Sequence, residues 1–112
     1  QELPFYKVKN RTTGLEEKVS FDNYIRKHIY NKFRYPEFAM DHELQGRVIV
    51  HFFIDKEGNP QINDAIGPVN GLILEEEAIR IIKSLPTAIP ANCDGKPINI
   101  MFAIPILFQM QE

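Results

Sequence analysis

The sequence has one cysteine, Cys93, and no tryptophan among its 112 residues. A lone cysteine rules out a disulfide framework and a thiolate metal cluster. It names no compartment, because it fits either side of a membrane. No two of His28, His42 and His51 have metal-ligand spacing. A basic excess is also missing. Thirteen Lys and Arg against fifteen Asp and Glu leave a net charge of -2, which excludes the electrostatic footprint of a nucleic-acid binder. No apolar run approaches the roughly 20 residues that cross a bilayer. Neither a signal-peptide pattern nor a repeat, a phosphate loop or a dinucleotide fingerprint is present.

What is there is a globular composition, 44% hydrophobic, in a chain of single-domain length. Residues 1–19 read as an N-terminal extension, either a tether or an added strand. Alternation is weak around Phe5 and Val8 and is followed by a polar Thr12-Thr13-Gly14 turn. From Ser20 the pattern is firmer. Serine is a good N-cap, and Phe21, Tyr24, Ile25, His28 and Ile29 recur at helical spacing. Pro36 ends that helix, because the residue before a proline avoids helical geometry. It then suits the start of a short turn, "PEFAMDHEL".

After Gly46 the period changes to two. Val48, Val50, Phe52 and Ile54 point one way; Arg47, Ile49, His51 and Phe53 point the other. "DKEGNP" is a reverse turn, and in the return strand "QINDAIG" Asn63 and Asp64 blur the alternation, which predicts a bulge or a short strand. "LILEEEAIRIIKSL" is a second helix with Leu74, Ala78, Ile81, Ile82 and Leu85 on its buried stripe. Its glutamates 75–77 read as a solvated face in the first turns, where the dipole favours them. Pro86 ends it, and a last strand places Ile98, Ile100, Phe102, Ile104, Ile106 and Phe108 on one face. A third strand beside the second would be parallel and need a crossover. Beside the first it completes an antiparallel sheet. The expected fold is therefore α+β: a three-stranded antiparallel sheet of order 2-1-3 with two helices on one face. The domain runs over residues 20–109, with a tail at 110–112.

Catalysis needs convergent groups, and the sequence offers none. Asp41, His42 and Glu43 are adjacent, and neighbours do not converge on a helix. Asp94 beside Cys93 raises a thiol pKa and does not activate it. One short acidic turn is not a calcium loop. No enzyme activity, cofactor or metal is expected.

The last strand is a better candidate. As an edge it exposes unpaired backbone groups, which proteins usually blunt with charge. From Ile98 to Ala103 there is none. Either the N-terminal segment or a second copy covers that edge, or a partner's extended segment adds a strand to it. Pro105 cannot donate to a ladder, so its nitrogen faces outward and pairing ends there. Ile49, Phe53 and Met101 on the outer face either pack under residues 3–9 or form a homodimer contact.

In their order and spacing these residues resemble the C-terminal domain of the TonB family. Tyr35-Pro36 matches its "YP". "GRVIVHFFIDKEGNP" is similar to its hairpin, "LEEEAIRIIKSLP" to its second helix, and "IPANCDGKPINIMFAIPILF" to its last loop and strand. The resemblance covers about residues 20–109. It implies a periplasmic domain, in a protein anchored to the inner membrane through a helix and a proline-rich spacer upstream. Such a domain captures the Ton box of an outer-membrane transporter by strand addition, with energy from inner-membrane proton-channel partners. Carried over, the partner-binding residues are Ile98, Asn99, Ile100, Met101, Phe102 and Ala103, flanked by Lys32, Phe33, Arg34, Tyr35 and Pro36. The chain departs from the family in lacking a Gln before "YP" and an aromatic in "SLPTAIPA". The other reading keeps the fold without energy transduction, as a stand-alone periplasmic interaction or dimerisation module. Ile100→Pro discriminates orientations: capture is lost if that N–H faces outward, and the domain unfolds if it pairs with the first strand. Peptide titration and circular dichroism of the variant check this.

Overall fold

A computed structural model describes residues 2–110; Gln111 and Glu112 of the expected tail lie outside them. The elements in order are β1 (Phe5–Lys9), β2 (Glu16–Ser20), α1 (Phe21–Lys32), α2 (Glu37–Asp41), β3 (Gly46–Ile54), β4 (Pro60–Ile66), α3 (Leu72–Lys83), β5 (Asn92–Cys93), β6 (Lys96–Pro97) and β7 (Ile100–Phe108). The main sheet is three-stranded and antiparallel, with strand order β4-β3-β7. Among the described residues there are three helices, one more than expected. Pro36 opens a turn of helix at "EFAMD", which buries Ala39 completely.

Alternation in β3 decides which face becomes the core. Val48, Val50, Phe52 and Ile54 are fully buried, while their neighbours line the outer face. Leu74, Ala78, Ile81 and Ile82 of α3 are as deeply buried, and α3 packs on β3 and β4. From α1, Phe21 stacks on Phe102 at 4.5 Å and lies 6.3 Å from Phe52. The bulge falls where Asn63 and Asp64 interrupt the pattern: His51 pairs with Asp64 and Phe52 with Ile62, leaving Asn63 extra. At the β3–β4 turn, Asp55 accepts from the Glu57 and Asn59 amides. Gly58 sits there at φ +88°, and a Cβ would lie 1.9 Å from the Ala88 carbonyl oxygen. Only glycine allows that approach.

The N-terminal residues lie apart from the main sheet. They form their own hairpin, β1–β2, which leads directly into α1 because Ser20 is also its N-cap, accepting from Asn23 N–H at 3.3 Å. Tyr6 is 5% exposed and stacks 3.9 Å from Tyr24, and its hydroxyl donates to the Pro86 carbonyl. Glu2 and Phe5 exchange backbone hydrogen bonds with Asn92 and Ile89. Residues 3–9 thus pack on α1 and the loop after α3, and do not cover the outer face of the sheet. The last strand begins at Ile100, not at Ile98. Asp94 and Gly95, both at positive φ, close the small β5–β6 hairpin, and the Ile98 amide is spent on the Ala91 carbonyl.

The glutamate triplet is not a solvated face either. Glu77 is 9% exposed, and Glu75 accepts from the Gly67 amide; of the three, only Glu76 is exposed. Between α1 and α3, His28 is buried. Its Nε2 lies 3.0 Å from the Ile81 carbonyl and 2.9 Å from Ser84 Oγ. That serine donates to the same carbonyl, so the pattern assigns the proton to Nε2. Burial, first, and then the Lys32 and Arg80 charges pull the His28 pKa below its ordinary 6.5, against the Ile81 hydrogen bond. A base with a depressed folded pKa favours the unfolded chain once the pH falls below its unfolded value. Stability should therefore be full above about pH 7 and fall as the pH drops below 6.5. His28→Gln should flatten that fall. Urea unfolding of both proteins at pH 7.5, 6.5 and 5.5 checks it.

Candidate functional site

The main sheet has two edges, and they are built differently. β4 carries Pro60, the Asn63 bulge and Asp64, devices that discourage further pairing. β7 is nine residues long without a charge, and among the described residues no strand pairs with its outer side. Its register on β3 is regular, from Gly46 opposite Phe108 to Ile54 opposite Ile100.

Pro105 faces Ile49. Having no N–H, it occupies a non-hydrogen-bonded position of the antiparallel ladder. Alternation then aims the amides and carbonyls of Ile100, Phe102, Ile104, Ile106 and Phe108 at β3. Those of Met101, Ala103 and Leu107 face outward. Side chains follow the same alternation: Ile106 and Phe108 are buried, while Met101 is 69% and Leu107 60% exposed.

Each expected residue now has a place. Ile98 and Asn99 precede the strand, and the Ile98 amide is used. Ile100 and Phe102 turn their polar groups inward, so Ile100→Pro is expected to lower stability and not only peptide capture. Met101 and Ala103 present theirs to solvent.

The second group is elsewhere. Phe33 lies 5.2 Å from Phe108, and Tyr35 meets the same ring edge-on at 5.8 Å. Residues 32–36 therefore sit at the far end of β7, about 17 Å beyond Ala103 at roughly 3.4 Å per residue. The structure does not bring the two groups together. Tyr35 is tied down by its hydroxyl, which donates to the Leu44 carbonyl; burial raises its pKa. Pro36 caps α2.

Glu77 and Arg80, which hold this flank, were not expected. Glu77 Oε2 accepts from the Arg34 amide at 2.9 Å and from Arg80 Nη2 at 2.8 Å, and Oε1 accepts from Arg80 Nε at 2.6 Å. Arg80 also donates to the Lys32 carbonyl at 2.7 Å. This bidentate pair keeps the Arg80 guanidinium charged more firmly than usual. The i,i+3 spacing shows the pair, but nothing in the sequence shows its backbone partners.

The family model for the Gram-negative bacterial TonB protein C-terminal region matches residues 31–110. The chain belongs to the TonB C-terminal domain family. The match begins near the end of α1, so the β1–β2 hairpin and most of α1 lie outside it. The fold is similar to that in the NMR solution structure of the Helicobacter pylori TonB C-terminal domain. That likeness has a TM-score of 0.52 and 22% identity, and covers 79% of this chain and 78% of the other. No match was found among curated proteins. TonB C-terminal domains belong to the Gram-negative periplasm.

Removing the Glu77 carboxylate leaves the Arg34 amide and the Arg80 guanidinium without their partner. Glu77→Ala should cost about 1–3 kcal/mol, the range for stripping a partner from a buried polar group. It should also speed amide exchange at Arg34. Urea denaturation and hydrogen exchange measure both, and a loss below about 0.5 kcal/mol would show that the flank stands without it.

Proposed function

We propose that this TonB-family domain captures an extended Ton-box-like segment of an outer-membrane transporter by adding it as a strand to β7. In the periplasm, that contact couples energy from inner-membrane proton-channel partners to substrate uptake. The observation that carries the reading is the outward row on β7, where Met101 and Ala103 offer backbone donors and acceptors on an uncharged edge. Pairing is interrupted at Pro105, so recognition is short. Each backbone hydrogen bond contributes roughly 0.5–1.5 kcal/mol net. A few of them, less the entropy of association, give micromolar, reversible capture. Such a linkage must release as readily as it forms. The domain's role is binding and transmission, with no catalytic group and no cofactor.

Of the residues carried over from the family, Met101 and Ala103 make the main-chain contacts, while Ile100 and Phe102 hold the edge in place. Ile98 and Asn99 lead into it. Lys32, Phe33, Arg34, Tyr35 and Pro36 serve a partner that extends past the strand's end.

A second reading, self-association through the outer face, has its own support. Met101, Leu107 and Ile66 are 57–69% exposed on that face and share it with Ile49 and Phe53. Sedimentation at rising concentration separates it from strand addition, which leaves the free domain monomeric.

Proline placed at alternate positions of β7 tests the proposal. Ala103→Pro removes an outward amide. It should fold normally and weaken binding of a transporter's amino-terminal peptide at least tenfold. Ile104→Pro removes an inward ladder bond and should lower stability by about 1–3 kcal/mol. Isothermal titration with the peptide, beside urea unfolding, reads both. Wild-type affinity in Ala103→Pro would sink the proposal.

A further inference from the structure

A second concave surface lies in the part of the chain that the family model does not reach. The β1–β2 register puts Tyr6, Val8, Glu17 and Val19 on one face of the hairpin. Tyr6 is buried against α1, but Val8 remains 39% exposed, because the hairpin overhangs the helix. Beneath the overhang is a groove of about 440 Å³, lined by Val8 and Val19 on one side and by Asn23, Tyr24, Lys27, His28, Asn31 and Lys32 on the other. The helical residues repeat at i, i+4 and i+8 and so form one stripe along α1. At 1.5 Å per residue the stripe is about 14 Å long, the reach of roughly four extended residues.

The lining is of one sign. Its charge comes from Lys27 and Lys32, with no carboxylate among the lining residues; His28 is buried and held below its ordinary pKa. Neither lysine is in an ion pair among the described residues. Glu17 shares the hairpin face of Val8 but is not part of the lining; its carboxylate accepts from Asn10 Nδ2 at 2.8 Å. Asn23 and Asn31 add amides that both donate and accept, as a peptide backbone requires. Val8, Val19 and the Tyr24 ring supply an apolar wall.

We propose that this groove docks an extended, acidic stretch of polypeptide whose carboxylates meet Lys27 and Lys32 and whose apolar side chains lie against Val8 and Val19. An elongated groove with paired amides suits a backbone better than a compact anion. The groove shares Lys32 with the flank at residues 32–36 but is separate from the outward row of β7, and its occupancy does not depend on strand addition there.

An NMR titration of the 15N-labelled chain tests it. The probe is a capped hexapeptide of alternating glutamate and valine, and its control is the lysine–valine counterpart. The glutamate peptide should shift the amides of Val8, Val19, Lys27 and Asn31. The exposed double substitution K27E/K32E should weaken it at least tenfold and admit the lysine peptide instead. Those shifts should persist in Ala103→Pro. The proposal is overturned if the groove amides stay still, if K27E/K32E leaves the shifts unchanged, if both peptides act alike, or if inorganic phosphate at equal charge reproduces them.

Discussion

The nitrogen of Pro105 carries no hydrogen, and the arrangement of the β7 edge follows from that. Opposite Ile49 it can take only a non-hydrogen-bonded place in the ladder. That choice propagates along the strand. Even-numbered residues bind β3 and turn their side chains to the core; odd-numbered ones turn backbone groups and side chains to solvent. Shifting the strand by one residue would bury Met101, Ala103 and Leu107 and expose Phe102 and Phe108. Hydrophobic burial and proline chemistry therefore enforce the same register.

The two ends of β7 are held by different means. At its start the β5–β6 hairpin uses the Ile98 amide and releases a free edge only from Ile100 onward. At its end, Phe33 and Tyr35 close on Phe108, and Glu77 with Arg80 ties the chain between them to α3. The N-terminal residues hold the segment after α3 through backbone bonds to Ile89 and Asn92. The free edge lies between these fixed points, so under the proposed strand addition a partner would meet a row already held in place. Preorganisation of this kind reduces the ordering cost of association.

Much of this was legible in the residues. The period-two run from Val48 to Ile54 marks the central strand, Asn63 marks the bulge, and Ser20 marks the start of α1, because each acts through local geometry. Pro105 told which way its own nitrogen points. Other features were hidden where a long-range partner decides. The hairpin of residues 5–20 is rich in Lys and Glu and shows little alternation; it is fixed by the buried Tyr6 side chain and by Phe5 backbone bonds to Ile89. Glu77 looks like a surface residue in "EEE" until the Arg34 amide is placed against it. Ile98 fits the last strand's pattern, yet the Asp94-Gly95 turn takes it out. The flank at 32–36 is next to β7 as the family resemblance implies, but at the end away from residues 98–103.

The central claim is that β7 receives its partner through Met101 and Ala103. An isotope-filtered NOE experiment on the labelled domain, bound to an unlabelled amino-terminal segment of a transporter, tests it most directly. The account predicts cross-strand contacts between the segment's backbone protons and those of Met101 and Ala103, ending at Pro105. Contacts confined to β4, or to residues 32–36 with none on β7, would contradict it.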